Sequence, residues 1–110
     1  MARLVWSETG LSDLQRHTDY IRKDSPKNAA MVNRRIRETA KLLKRFPELG
    51  TVVPEFDVPT IRELIVYSYR IIFEVREDEC QILFIFHGSR DLKRYFGLAD
   101  DDEGMSQIEE

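Results

Sequence analysis

The chain has 110 residues, is 42% hydrophobic and 34% charged, and carries a formal net charge of −3 at pH 7. That length supports one domain around one core, and that composition excludes a disordered chain. No run reaches the about 18 apolar residues of a membrane span, and the N-terminus lacks an apolar signal stretch, so a cytoplasmic protein is expected.

The elements follow in chain order. Arg3–Trp6 reads as a short strand. Ser7 is placed to cap a helix whose apolar positions are Leu11, Leu14, Thr18 and Ile21. His17 lies among polar residues of that helix and is expected to face solvent. Asp24-Ser25-Pro26 is a turn and a restart, with Ser25 as cap and Pro26 at the first helical position. The second helix has an apolar stripe of Ala29, Val32, Ile36, Ala40, Leu43 and Phe46. Arg34, Arg35, Lys41 and Arg45 lie off that stripe and read as a solvated face. Phe46-Pro47-Glu48-Leu49-Gly50 ends the helix. Two helices joined by a tight turn make a helical hairpin.

Residues 51–60 hold Pro54 and Pro59 and read as a loop or a poor edge strand. Three strands then follow, at about 61–67, 69–76 and 80–87. In the middle one, Tyr69, Ile71, Phe73 and Val75 share one face; Arg70, Ile72, Glu74 and Arg76 share the other. The last is apolar on both faces, so it should be central and covered on both sides. Glu77-Asp78-Glu79 is a hairpin turn, and residues 91–98 have room for one or two helical turns. Cys80, the single cysteine, reads as a small buried hydrophobe, and no internal disulfide is possible. The fold class expected is α+β: a β-α-α-β-β-β order with an N-terminal helical hairpin on a small, mainly antiparallel sheet.

Charge divides the chain into residues 1–98 and a tail, 99–110. The tail holds Asp100, Asp101, Asp102, Glu103, Glu109 and Glu110 and no base. Taking these six from the chain's 20 acids leaves 14 against 17 bases in the body. The tail is expected to be mobile and has the charge to screen a basic surface. No His/Cys/Asp cluster has metal-ligand spacing and no Gly-rich phosphate loop occurs, so no cofactor is expected.

Several segments carry a family resemblance. They are Val5-Trp6-Ser7, Leu14 with Tyr20-Ile21, Asp24-Ser25-Pro26 and Phe46-Pro47-Glu48-Leu49-Gly50. Arg62-Glu63-Leu64, Tyr69-Arg70-Ile71 and His87-Gly88-Ser89-Arg90 complete the set. In this order the chain resembles the RelE/ParE superfamily of type II toxins, most nearly its ParE-like branch. That branch implies a poison of DNA gyrase, neutralised by an acidic cognate antitoxin, with a role in plasmid stabilisation. A hetero-oligomer with the antitoxin and a toxin dimer are both compatible with the resemblance. The RelE-like branch implies a metal-independent ribonuclease acting on mRNA at the ribosome. A third reading is an inactive, antitoxin-binding relative.

Such a ribonuclease needs a base for the 2′-hydroxyl, cations for the phosphate and an acid for the leaving oxygen. The resemblance would assign Arg70, Arg90, His87 and Tyr95 to that work. Yet residues 48–64 lack the lysines of the RelE branch, and Tyr95 stands one residue before the matching position, which is Phe96. The expected function is therefore gyrase inhibition, with Arg62, Arg70, His87, Arg90, Lys93 and Arg94 as a partner-binding surface. Arg70 also has a structural reading, as the ion-pair partner of Glu74 or of a carboxylate on a neighbouring strand.

Overall fold

A computed structural model describes residues 2–88 and Asp91. Strand β1 (Arg3–Trp6) leads into helices α1 (Glu8–Arg22) and α2 (Pro26–Lys41). A 3₁₀ turn (Leu42–Lys44) follows, then strands β2 (Thr51–Val52), β3 (Ile61–Val66), β4 (Tyr69–Arg76) and β5 (Glu79–His87). Both helix starts form as expected: Ser7 accepts from the Gly10 N–H and Ser25 from the Asn28 N–H, with Pro26 opening α2. The expected C-terminal helical turns and acidic tail lie outside the described residues.

The sheet order is β1-β5-β4-β3-β2. β1 runs parallel to β5, and the other neighbours are antiparallel. The N-terminal strand thus inserts beside β5, which becomes an interior strand next to the central β4, as its two apolar faces require. Residues 51–60 supply only a two-residue edge strand.

The hairpin covers one sheet face. Leu14, Ile36, Ala40 and Leu43 meet Tyr69, Ile71, Phe73, Cys80, Ile82 and Ile85 in the main core. Thr18 ties the helices together, donating to the Leu14 carbonyl and accepting from the Asn33 amide. Burial raises the Cys80 thiol pKa, in keeping with an inert core residue.

The opposite face is covered as well, as the two apolar faces of β5 lead one to expect. Residues 53–57 fold back across it, and Val53, Phe56, Ile61, Ile72, Phe84 and Phe86 form a second small core. The stacked rings of Phe84 and Phe86 belong to it.

One irregularity decides which way β5 points. Ile72 pairs with Phe84 but Phe73 with Ile82, so Leu83 is an extra residue in β5. The bulge reverses the alternation. Before it, Cys80 and Ile82 face the hairpin; after it, Ile85 does, while Phe84 and Phe86 join the second core.

Two backbone positions constrain the sequence. A Cβ on Gly50 would lie 2.5 Å from the Glu63 carbonyl oxygen and 2.8 Å from the Phe73 ring. Gly50→Ala should lower the urea-unfolding free energy by about 1–3 kcal/mol, the usual effect of overpacking. The β4–β5 hairpin turns through Glu77 at φ 45°, a left-handed conformation that glycine adopts without strain. Glu77→Gly should leave stability unchanged or raise it by up to about 1 kcal/mol in the same assay.

Candidate functional site

β1 ends at Trp6, opposite Ile82, but β5 continues to His87. Among the described residues, the backbone edge of Leu83–His87 therefore has no strand beside it on that flank. Side chains from α1 and from beyond β5 take the strand's place. The Ser7 hydroxyl donates to the Leu83 carbonyl at 3.1 Å. Asp13 Oδ2 accepts from the Ile85 N–H at 3.0 Å, and His17 Nε2 meets the Ile85 carbonyl at 2.8 Å. Asp91 Oδ2 accepts from the His87 N–H at 2.6 Å. Four backbone groups on this edge thereby gain partners.

α1 approaches closely enough for this because of Gly10. A Cβ there would sit 2.9 Å from the Ile82 carbonyl oxygen. Asp13 and His17 are one turn apart and reach the N–H and C=O of one residue, Ile85.

The cluster is deeply buried, with Asp91 4% and His17 7% exposed. The Ile85 carbonyl can only accept, so His17 Nε2 carries the proton. Asp91 Oδ2 lies 3.5 Å from the same nitrogen. Tyr69 stands between the two histidines, its ring edge-on to His17 at 5.0 Å and to His87 at 5.1 Å. Burial holds the His17 pKa below 6.5; nearby Arg16 adds to that, while the Ile85 carbonyl and the carboxylates of Asp91 and Asp13 oppose it.

Arg70 has a different setting, on the second core's side of the sheet. Its Nε donates to Glu63 at 2.6 Å, and its two terminal nitrogens grip Glu55 at 3.1 and 2.9 Å. The side chain is 11% exposed. These two carboxylates raise its pKa further, and the Arg70 hydrogen bonds hold the Glu55 carboxyl below its usual range. The guanidinium thus staples residues 53–57 to the sheet.

The profile of the family described as "ParE toxin of type II toxin-antitoxin system, parDE" matches residues 4–92. The chain belongs to the ParE toxin family. The Toxin RelE2 of Caulobacter vibrioides is 34% identical over 91 residues, covering 82% of this chain and 99% of that protein. A structure of the chromosomal ParDE TA system from P. aeruginosa superposes with a TM-score of 0.67 at 28% identity. It covers 80% of this chain and 97% of the matched one. The resemblance read from the sequence is thereby established: this is a type II toxin of the ParE/RelE kind, with the α+β fold expected of it.

Of the expected site residues, Arg62, Arg70 and His87 are among those described. Arg62 donates to the Gly50 carbonyl through Nε (3.1 Å) and Nη2 (2.7 Å), and to the Pro59 carbonyl through Nη1 (3.3 Å). It braces the chain around β2. Arg70 does not pair with Glu74, which instead binds Arg76 at 2.8 Å. Of the two structural pairings expected for Arg70, the neighbouring-strand carboxylate is the one formed, by Glu63 of β3. Arg62 and Arg70 lie at opposite faces of the sheet's β3–β4 ribbon, because Arg62 pairs with Phe73 while Arg70 pairs with Ile65. His87 closes β5 beside Tyr69. Arg90, Lys93, Arg94 and Tyr95 lie outside the described residues.

His17 corrects the sequence reading most sharply, being buried rather than solvent-facing. The signal was present. Leu14, His17, Thr18 and Ile21 follow the i, i+3, i+4, i+7 spacing of a core-facing stripe. Counting Thr18 but passing over His17 missed it. Asp13 and Asp91 gave no such signal, because their partners are backbone groups 72 and 4 residues away.

His17 makes the toxin's stability pH-dependent. Its pKa is lower folded than unfolded, so the unfolded chain binds the proton more readily. The contribution is complete well above pH 6.5 and declines as the pH falls through that value. His17→Gln keeps a donor for the Ile85 carbonyl without a titrating ring. Urea midpoints measured between about pH 7.5 and pH 5 should fall less steeply in this variant. Equal slopes would show that His17 does not set the dependence.

Proposed function

We propose that this toxin inhibits DNA gyrase and is neutralised by a cognate antitoxin, without catalytic residues of its own. The observation that carries this reading is the state of Arg70. Phosphoryl chemistry needs a cation free to meet a developing negative charge. Arg70 is already bound by one carboxylate in two-point contact and by a second through Nε. A phosphate arriving there would have to displace Glu55 and would still face Glu63. The histidines support the same conclusion: His17 is consumed by the β5 edge, and His87 is packed against Tyr69.

Two comparisons point the same way, since the matched family and the matched structure are both of the ParDE kind. An antitoxin partner follows from the same likeness. The ribonuclease reading draws support from one observation, the 34% identity with a relative named RelE2. It would rest on Arg70, Arg90, His87 and Tyr95.

Purified toxin separates these readings. It should block supercoiling by DNA gyrase and trap covalent gyrase–DNA cleavage complexes, and the purified antitoxin should reverse both effects. Primer extension on a translated mRNA should show no new cleavage. Inactivity toward gyrase together with ribosome-dependent cleavage that Arg70→Ala abolishes would overturn the proposal. Silence in both assays would leave an inactive, antitoxin-binding relative.

A further inference from the structure

Helix α2 carries a line of cations that neither the core nor the site uses. Lys27, Arg34 and Lys41 recur every seven residues, close to two full turns, and so lie nearly in a row. The 3₁₀ turn extends the row, because i and i+3 eclipse there and Lys44 falls beyond Lys41. Arg37 flanks it, its guanidinium set 5.8 Å over the Trp6 ring. All five are exposed. The row is about 27 Å long at helical rise. Glu38 is the single acid of residues 26–45, and it only approaches Arg34 at 4.0 Å. Lys27, Lys41 and Lys44 make no ion pair among the described residues.

The concentration matters because the whole chain is acidic, at −3. Residues 26–45 hold seven bases against one acid, a local excess of positive charge in a chain that is negative as a whole. A stiff row of bases on a regular helix fits a stiff polyanion. Duplex nucleic acid presents about one charge per 1.7 Å of its axis, and its order costs nothing further on binding. A flexible acidic peptide would lose chain entropy and would need apolar anchors to offset it. Beside the row, α2 exposes one large apolar side chain, Met31, a turn from both Lys27 and Arg34, and Leu42 follows in the 3₁₀ turn, so such a peptide would find few anchors here.

We propose that this face of α2 is a contact surface for duplex DNA that grips its phosphodiester backbone, since the charge spacing it meets is that of the DNA duplex. It goes beyond the gyrase reading and does not depend on it, since binding is measured on the toxin alone. Duplex RNA is tested as the alternative occupant.

The test is fluorescence anisotropy of the full chain with labelled duplexes of about 20 base pairs, one DNA and one RNA of the same sequence. Affinity should fall roughly 50- to 500-fold between ~50 and ~200 mM salt, as three to five phosphate contacts require. The triple variant R34E/K41E/K44E should bind at least ~10-fold more weakly at low salt. The variant R3E/R22E/R76E has the same net charge change on exposed residues elsewhere and should lose less than about threefold. Circular dichroism confirms that both variants fold. Binding to the DNA duplex at least as tight as to the RNA duplex supports the proposal; clear preference for the RNA duplex overturns it. The proposal is overturned by no binding to either duplex, by equal losses in the two variants, or by a polyglutamate peptide binding as tightly as the duplexes.

Discussion

The fold depends on how one strand edge is closed. β5 is an interior strand, yet its N-terminal neighbour is only four residues long. Past Trp6, the β5 backbone would present buried polar groups with no partners, a cost of about 1–3 kcal/mol for each. Ser7, Asp13, His17 and Asp91 prevent that. The same contacts fix how α1 lies along the sheet, and with it the hairpin that covers the main core. They also hold the chain beyond β5 to α1 through Asp91. A histidine in such a place is a structural donor, and its lowered pKa is a consequence of burial rather than a sign of catalysis.

A second constraint acts on the other sheet face. There the proline-bearing segment 53–57 is too short to form a layer by itself. Val53 and Phe56 give it a small apolar foothold, and the Arg70–Glu55 pair secures it. Such a pair, partly shielded and two-pronged, holds geometry more firmly than an exposed ion pair, which contributes about 0–1 kcal/mol. The arginine interrupting an apolar strand therefore has a structural explanation. That explanation leaves the ribonuclease reading without a free cation at Arg70 and supports the proposed action by contact.

The charge pattern fits a contact protein as well. Acids and bases are segregated: α2 is basic, Arg70 is neutralised within the fold, and six acids close the sequence. A molecule built this way orients in the field of a polyanion even though its net charge is negative.

The sequence by itself determined the element types and most of their bounds, the helix caps, the hairpin and the interior place of β5. These follow from local rules: apolar periodicity, capping side chains and turn residues. The family came from its resemblance to known toxins. It also identified Arg70 as a residue needing an anionic partner, and one of the two partners it offered, a neighbouring-strand carboxylate, is the one found. Only the tertiary structure decided the rest. The parallel pairing of β1 with β5 joins residues more than 70 positions apart, beyond the reach of any local pattern. The bulge at Leu83 follows from packing two cores against one strand, and alternation read along the sequence continues through it unaltered. His17, Asp13 and Asp91 acquire their roles from the backbone they face, and backbone groups leave no trace in side-chain identity.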